Sequence, residues 1–354
     1  MKKVVILAAA ALTLAACAKT YELQETAQPK IGFGTWNDVM TKAVTTSFAN
    51  DEVIKVSGIK WNDNTDETKV FDNVDVTYKS EGNKWVYSPL RFWDANFAHY
   101  TFFSAFPKAN LNTALGQDGT FTSKELTYNG TDEVLLVAQK NVVDRNAQNK
   151  YDIENVQLNF KHVGSLVDIK VKKHSDIAAA KVEVTSIALS GIKTTGAFTV
   201  SGYDSSNNPE GTWTATSAVN AENAAAAASP YINNGGVSII AGATTAADLL
   251  SNLVLMPQSL ATDGGPKITI SYKITTGEGA TADEITFTDK SFFFGEFDKT
   301  DPDPTDKANT DPRISAWMPG VHYTYYITIN ANAITFTASI DDWSTETGHY
   351  YLIN

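Results

Sequence analysis

From Ile31 to the carboxy terminus the chain is dominated by apolar and polar residues that alternate with a period of two. Val74-Asp75-Val76-Thr77-Tyr78, Val156-Gln157-Leu158-Asn159-Phe160, Ile268 to Ile274, Tyr323 to Ile329 and Ile334 to Ile340 are the clearest runs. Such alternation, rich in β-branched and aromatic residues, turns one face of a strand to a core and the other to water. Many short runs separated by Gly, Asn, Asp and Pro predict an all-β chain of antiparallel sandwich type. Helical spacing is confined to Asn220 to Ala228, closed by Pro230, and to Ala246-Ala247-Asp248-Leu249-Leu250-Ser251; both read as few-turn elements inside loops. No sustained pattern covers Lys140 to Lys150, between Gln139 and Tyr151. This predicts a domain boundary near 150, with one sandwich over 31–150 and a second over 151–354. Asp298 to Arg313 carries Asp301-Pro302-Asp303-Pro304 and Asp311-Pro312. Proline removes backbone donors, so this segment is expected to be an extended surface loop.

Before Ile31 the pattern is different. Lys2 and Lys3 precede an apolar run from Val4 to Leu14, followed by Leu14-Ala15-Ala16-Cys17. A basic start, a short apolar stretch and small residues at the cleavage point form a secretory signal peptide, here residues 1–16. Ala16 directly before Cys17 makes it a bacterial lipobox. Cys17 is the predicted lipidation site, its thiol linked to diacylglycerol and its new amine acylated. At about 0.8 kcal/mol per buried methylene, two or more acyl chains hold a protein on a bilayer where one does not. Residues 17–30, polar and carrying Pro29, are the expected tether to outer-membrane lipid.

Charge and cysteine content narrow the function classes. Asp and Glu number 40 against 28 Lys and Arg, a formal net charge of −12. Such a field repels polyanions, so nucleic acid is excluded as a partner. Cys17 is the one cysteine, and once lipidated it leaves no thiol for disulfides, thiolate metal sites or nucleophilic catalysis. No later apolar run approaches the ~20 residues needed to cross a bilayer.

Active-site patterns are absent: no His-Glu-x-x-His, no Gly-x-Ser-x-Gly, no phosphate-cradling or dinucleotide glycine loop. No cofactor and no enzymatic activity are expected. His99, His162, His174, His322 and His349 are scattered singly, and His162, on the Phe160 face of its strand, is expected to be structural. Asp301, Asp303 and Asp306 offer hard oxygen ligands to calcium, yet the residues that follow lack the central glycine and closing glutamate of an EF-hand. A solvated loop is the better reading. Trp85, Tyr87, Phe92, Trp93, Tyr100, Phe102, Phe103 and Phe106 form a dense aromatic group. Exposed, these rings would stack sugars, which gives the alternative of a monomeric surface lipoprotein that binds glycans. The alternation of Phe102, Ser104 and Phe106 against Phe103 and Ala105 favours a core.

A set of fragments then points to relatives. Ile31-Gly32-Phe33, Thr41-Lys42-Ala43 and Asp51 to Val56 come first, followed by Val70-Phe71-Asp72-Asn73, Trp85 to Pro89 with Phe92-Trp93, and Tyr100 to Pro107. Asp132 to Ala138, Val156 to His162, Leu253 to Gln258, Trp317-Met318-Pro319-Gly320 with Tyr323, and a final strand ending Asp342-Trp343 complete the series. In their order and spacing these resemble the fimbrillin family, the lipoprotein-derived subunits of type V pili, including Mfa-like members.

The resemblance implies two tandem transthyretin-like Greek-key β-sandwich domains and a structural role in a cell-surface pilus. It also implies a trypsin-like cut near the amino terminus that removes the first strand, after which a neighbouring subunit's strand fills the groove. Carried onto this sequence, the displaced strand is near Ile31 and Phe33. The preferred cut follows Lys42, with Lys30 second. The donor strand is Ala333 to Ile340, with Ile334, Phe336, Ala338 and Ile340 on one face, and Gly348 to Asn354 is the runner-up. Partners implied are other pilus subunits and a host or bacterial surface receptor.

Overall fold

The computed structural model describes residues 29–34, 49–63, 67–106, 111–115, 121–128, 136–146, 150–151, 155–158, 160–203, 209–220, 232–233, 235–261, 263–299, 313–331 and 334–342. The strands begin with β1 (Gly32–Gly34), β2 (Val53–Trp61), β3 (Thr68–Lys79), β4 (Lys84–Val86), β5 (His99–Phe106) and β6 (Leu111–Leu115). Next come β7 (Phe121–Tyr128), β8 (Leu136–Asp144), β9 (Asn155–Gln157), β10 (Phe160–His162), β11 (Ser165–Lys173), β12 (Lys181–Tyr203) and β13 (Pro209–Asn220). The chain closes with β14 (Ile232–Asn233), β15 (Val237–Ile239), β16 (Ala247–Leu255), β17 (Lys267–Thr276), β18 (Asp283–Phe293), β19 (Asp298–Lys299), β20 (Val321–Ile329) and β21 (Ile334–Asp342). Helix among the described residues amounts to short 3₁₀ turns. The chain is nearly all β, as its alternation predicts.

A six-stranded sheet in the order β10-β8-β5-β2-β3-β4 forms the amino-terminal body, with β1 and β9 paired beside it. A five-stranded sheet, β16-β11-β20-β21-β19, faces an eight-stranded one built along β18-β17-β12-β7-β6. One core fills the carboxy-terminal layers, with Val167, Ile187, Ile270, Phe294, Trp317 and Tyr325 among its residues. A second lies on one face of the six-stranded sheet and includes Ile31, Phe33, Phe71, Tyr87, Trp93 and Phe102. The opposite face of that sheet carries Ile59, Trp61, Phe103 and Val137, packed against Phe198, Val200 and Met256 from later in the chain. β5 is therefore buried on both faces. Phe102 and Phe106 enter one core and Phe103 and Ala105 the other, so the alternation read from sequence serves two cores.

The two faces of β2 serve different cores. Ile54 and Val56 belong to the core around Phe33, whereas Ile59 and Trp61 belong to the opposite one. Ile54, Val56 and Gly58 share one face and Ile59 and Trp61 the other by plain alternation, and pairing with β5 runs unbroken from Lys55 to Trp61. The register shifts on each side of Gly58 add residues to β3, which keeps Phe71 and Val76 in one core. Glycine is required where β2 passes these rings: a Cβ on Gly58 would lie 2.9 Å from the Phe102 ring and 3.2 Å from that of Phe71. The Asn73 N–H donates to the Ser57 hydroxyl at 3.2 Å, and the Thr113 hydroxyl approaches the same oxygen at 3.1 Å.

Three local expectations are corrected. Ala246 to Ser251 is not helical; residues from Ala247 onward form β16, antiparallel to β11. Register shifts fall between Val167 and Ile169 and between Ile169 and Lys170, and Asn252 sits at φ 71°. The bulges bury the adjacent Leu249 and Leu250 together with Leu253, a spacing that imitates a helix. Lys140 to Asp144 is likewise strand, the second half of β8, where pairing with β5 is again shifted. Pairing also runs past residue 150: β9 joins β1 and β10 joins β8. The segment expected to be irregular from Asp298 begins with β19, parallel to β21. Asn220 ends β13, and the alanine run after it lies outside the described residues.

Candidate functional site: the groove that seats the first strand

β1 is short, glycine-flanked and joined to the body by two different neighbours. Residues 29–31 lie antiparallel to 91–93: the Ile31 N–H donates to the Arg91 carbonyl at 3.0 Å and the Trp93 N–H to the Pro29 carbonyl at 3.1 Å. Lys30, between them, is bridged to Phe92. Residues 32–34 then pair in parallel with Asn155, Val156 and Gln157 of β9.

Two side chains fix the segment. Ile31 is fully buried and Phe33 is 4% exposed. The Phe33 ring meets Phe71, Tyr87 and Phe102 edge to face at centroid distances of 5.4, 5.8 and 5.9 Å, the arrangement favoured by ring quadrupoles. The Tyr87 hydroxyl donates to the Ile31 carbonyl at 2.6 Å and accepts from the Arg91 N–H at 3.3 Å. Burial pushes the Tyr87 phenol above its ordinary value, so it remains a protonated donor. The Arg91 guanidinium holds the same corner, its Nε donating to the Val70 carbonyl at 3.1 Å and Nη1 to the Pro89 carbonyl at 3.1 Å.

Removing this segment would uncover an apolar trough and free the backbone groups of residues 91–93 and 155–157. Burying Ile31 and Phe33 contributes about 1.5–3 kcal/mol each, the same order as the ~1–2 kcal/mol per residue lost in ordering so short a stretch.

The expected site residues divide as follows. Ile31 and Phe33 meet in the groove, and Lys30 stands exposed at its rim. Lys42, Cys17, Asp301, Asp303, Asp306 and the tail from Gly348 lie outside the described residues. Ile334, Phe336, Ala338 and Ile340 are on β21, which pairs with β20 from Ile334↔Ile329 to Asp342↔Val321. Ala338 is buried, Ile334 half-buried and Ile340 41% exposed. On its other side, among the described residues, β21 meets only the two residues of β19. Of the aromatic group, Trp85, Tyr87, Trp93, Tyr100, Phe102, Phe103 and Phe106 are buried and Phe92 alone is exposed. Sequence reasoning placed Tyr87 among core rings and missed its hydroxyl as the polar hold on Ile31; a tyrosine directly before the Ser88-Pro89 turn was the available signal.

It also missed Asp168 and His322, paired at 2.9 Å between Oδ2 and Nε2. Asp168 Oδ1 accepts the N–H of Asn252 at 2.6 Å. An aspartate that orients a histidine is part of a nucleophile triad, but these residues are 5% and 3% exposed and sealed from any substrate. Their work is to tie β11, β20 and the β16 bulge together. Among the described residues no group of His, Cys, Asp or Glu is placed to hold a metal ion, and no helix is long and apolar enough to cross a membrane.

The model of the fimbrillin-like family matches residues 41–343. The chain belongs to that family. Among solved structures, a fimbrial protein from Bacteroides vulgatus is similar at 18% identity and a TM-score of 0.58, over 89% of this chain and 99% of that one. A candidate cell adhesion protein from Bacteroides uniformis aligns at 15% identity, TM-score 0.44, over 90% and 98%. A fimbrilin from Porphyromonas gingivalis aligns at 11% identity, TM-score 0.37, over 90% and 98%. The first of these gives the fimbrillin-like chain its fold likeness. No curated protein sequence matches the chain.

Proposed function

We propose that this fimbrillin-like chain is a structural subunit of a cell-surface fimbrium, exported as an outer-membrane lipoprotein acylated at Cys17, and that it supports adhesion without catalysis. A trypsin-like cut after Lys42 releases the first strand, and a strand from another subunit takes its place. The donor is the segment of β21 that carries Ile334, Phe336, Ala338 and Ile340. The observation that supports this reading is the seating of β1. Its two apolar anchors enter a ring-lined groove, while its backbone leans on strand edges at residues 91–93 and 155–157. An unpaired strand edge beside an apolar trough is a template for strand addition.

The glycan alternative loses its main support, because seven of the eight aromatic residues it needs are buried. Digesting the purified, lipid-free mature chain with trypsin tests the favoured reading. The expected result is a new amino terminus at Ala43 followed by SDS-resistant ladders. A product clipped at Ala43 that stays monomeric at high concentration would overturn it.

A further inference from the structure

Two lysines, Lys30 and Lys42, flank β1 in sequence and satisfy a trypsin-like endopeptidase, and the seating of β1 makes them unequal. This inference rests on the strand-release reading above. A cut after Lys30 adds water across the Lys30–Ile31 amide, leaving a carboxylate on Lys30 and an amine on Ile31. The nitrogen of that amide donates to the Arg91 carbonyl at 3.0 Å. The residue on its carboxy side, Ile31, is fully buried with its own carbonyl held by Tyr87 at 2.6 Å. The residue on its amino side, Lys30, is bridged to Phe92, and Pro29 accepts from Trp93. An endopeptidase needs several extended residues on both sides of the bond, and here the segment from Pro29 to Gly34 is already laid against residues 91–93 and 155–157.

Chain order adds a second, independent distinction. β1 lies on the carboxy side of Lys30, so a chain cut there retains Ile31 to Gly34 and its groove stays filled. Only a break beyond Gly34 separates β1 from the body. Between Gly34 and Val53 the sequence offers a single basic residue, Lys42.

We propose that β1 guards the Lys30–Ile31 bond: cleavage there requires the strand to leave its groove, and a molecule cut there alone is severed from its tether yet closed to assembly. The lysine beside the anchor is thereby protected against untimely release, and the activating cut is directed to the far side of the strand.

The full mature chain carrying Lys42→Gln tests this with trypsin, scored by intact mass for the product that begins at Ile31. A free peptide of residues 25–36 supplies the unguarded rate. The guarded chain is expected to be cut far more slowly than the peptide, and to remain monomeric once cut. Adding Tyr87→Phe should speed the cut by about fivefold or more, up to about 150-fold, since proteolysis of an opened state tracks its population. Adding Phe33→Ala should speed it further; should that variant fail to fold, Tyr87→Phe still decides. Cleavage of Lys42→Gln at the peptide's rate, or ladders grown from the Ile31-starting product, would overturn the proposal. A wild-type chain that is cut at Lys42 but never assembles would sink the fimbrium reading instead, leaving the Lys30 comparison intact.

Discussion

The Tyr87 hydroxyl lies 2.6 Å from the carbonyl oxygen of Ile31 and is the one side-chain hydrogen bond described to that backbone group. It joins a buried ring in the body to the backbone of the strand that sits across the groove. Tyr87→Phe keeps the ring that packs on Phe33 and Phe71 and removes only the donor. The buried carbonyl then loses its partner, a cost of about 1–3 kcal/mol. Urea titration should show a lower midpoint, and hydrogen exchange should show faster exchange at the Ile31 amide. An unchanged exchange rate would mean that the bond does not hold the strand.

Alkaline pH should loosen the same region. Burial raises the Tyr87 phenol and lifts that of Tyr100 to about 12, above the ordinary value of 10.0. A raised folded value means that the stabilisation is fully present below the unfolded value near 10 and is lost as pH climbs through the folded one. Stability measured by urea should thus be flat up to about pH 10 and fall above it. Tyr87→Phe should reduce the steepness of that fall, and equal slopes in both proteins would remove Tyr87 from the explanation.

Gly58 passes close to two buried rings on the Phe33 side of β2, and its substitution should be costly in proportion to side-chain size. A Cβ would press on Phe102 at 2.9 Å and on Phe71 at 3.2 Å, and both rings are fully buried. Gly58→Ala should cost about 1–3 kcal/mol through overpacking, and Gly58→Val more. Because Phe71 and Phe102 also line the Phe33 pocket, the variant should weaken β1 as well as lower the melting temperature. Thermal melting together with trypsin sensitivity at Lys30 checks both effects. A melting temperature equal to wild type would show that the rings can yield.

Strand character was legible in this sequence wherever one face meets a core, because period-two alternation is then imposed by burial. β3, β17, β20 and β21 belong to that class. Legibility ended at bulges. Leu249 and Leu250 of β16 are buried side by side because the pairing slips, and Lys140 to Asp144 of β8 show no pattern where their pairing with β5 shifts. Of the groove, Ile31 and Phe33 could be read as an apolar pair at strand spacing. Their partners could not: Arg91, Val156 and the Tyr87 hydroxyl are brought to them by folding across more than fifty residues, which no local pattern encodes. The Asp168–His322 pair is hidden for the same reason, its members lying on strands that are parallel neighbours in space and far apart in sequence.

That pair makes a final prediction about acid. Burial works to raise the Asp168 carboxyl, but the bond to His322, the Asn252 N–H and the charges of His322 and Lys170 together outweigh it and leave the group below its ordinary value of 3.8. A depressed folded value contributes stability that is present above the unfolded value and lost as pH falls through the folded one. Asp168→Asn breaks a buried pair and strands His322, at a cost of about 3–5 kcal/mol near neutral pH. The gap between wild type and variant should begin to narrow once pH drops below about 4, where the unfolded wild-type carboxyl takes up its proton, and should close further as pH falls through the lower folded value. Urea midpoints for both proteins from pH 7 to pH 3 measure that gap directly. A gap that stays constant across the range would mean that the carboxylate charge contributes nothing and that packing alone accounts for the loss.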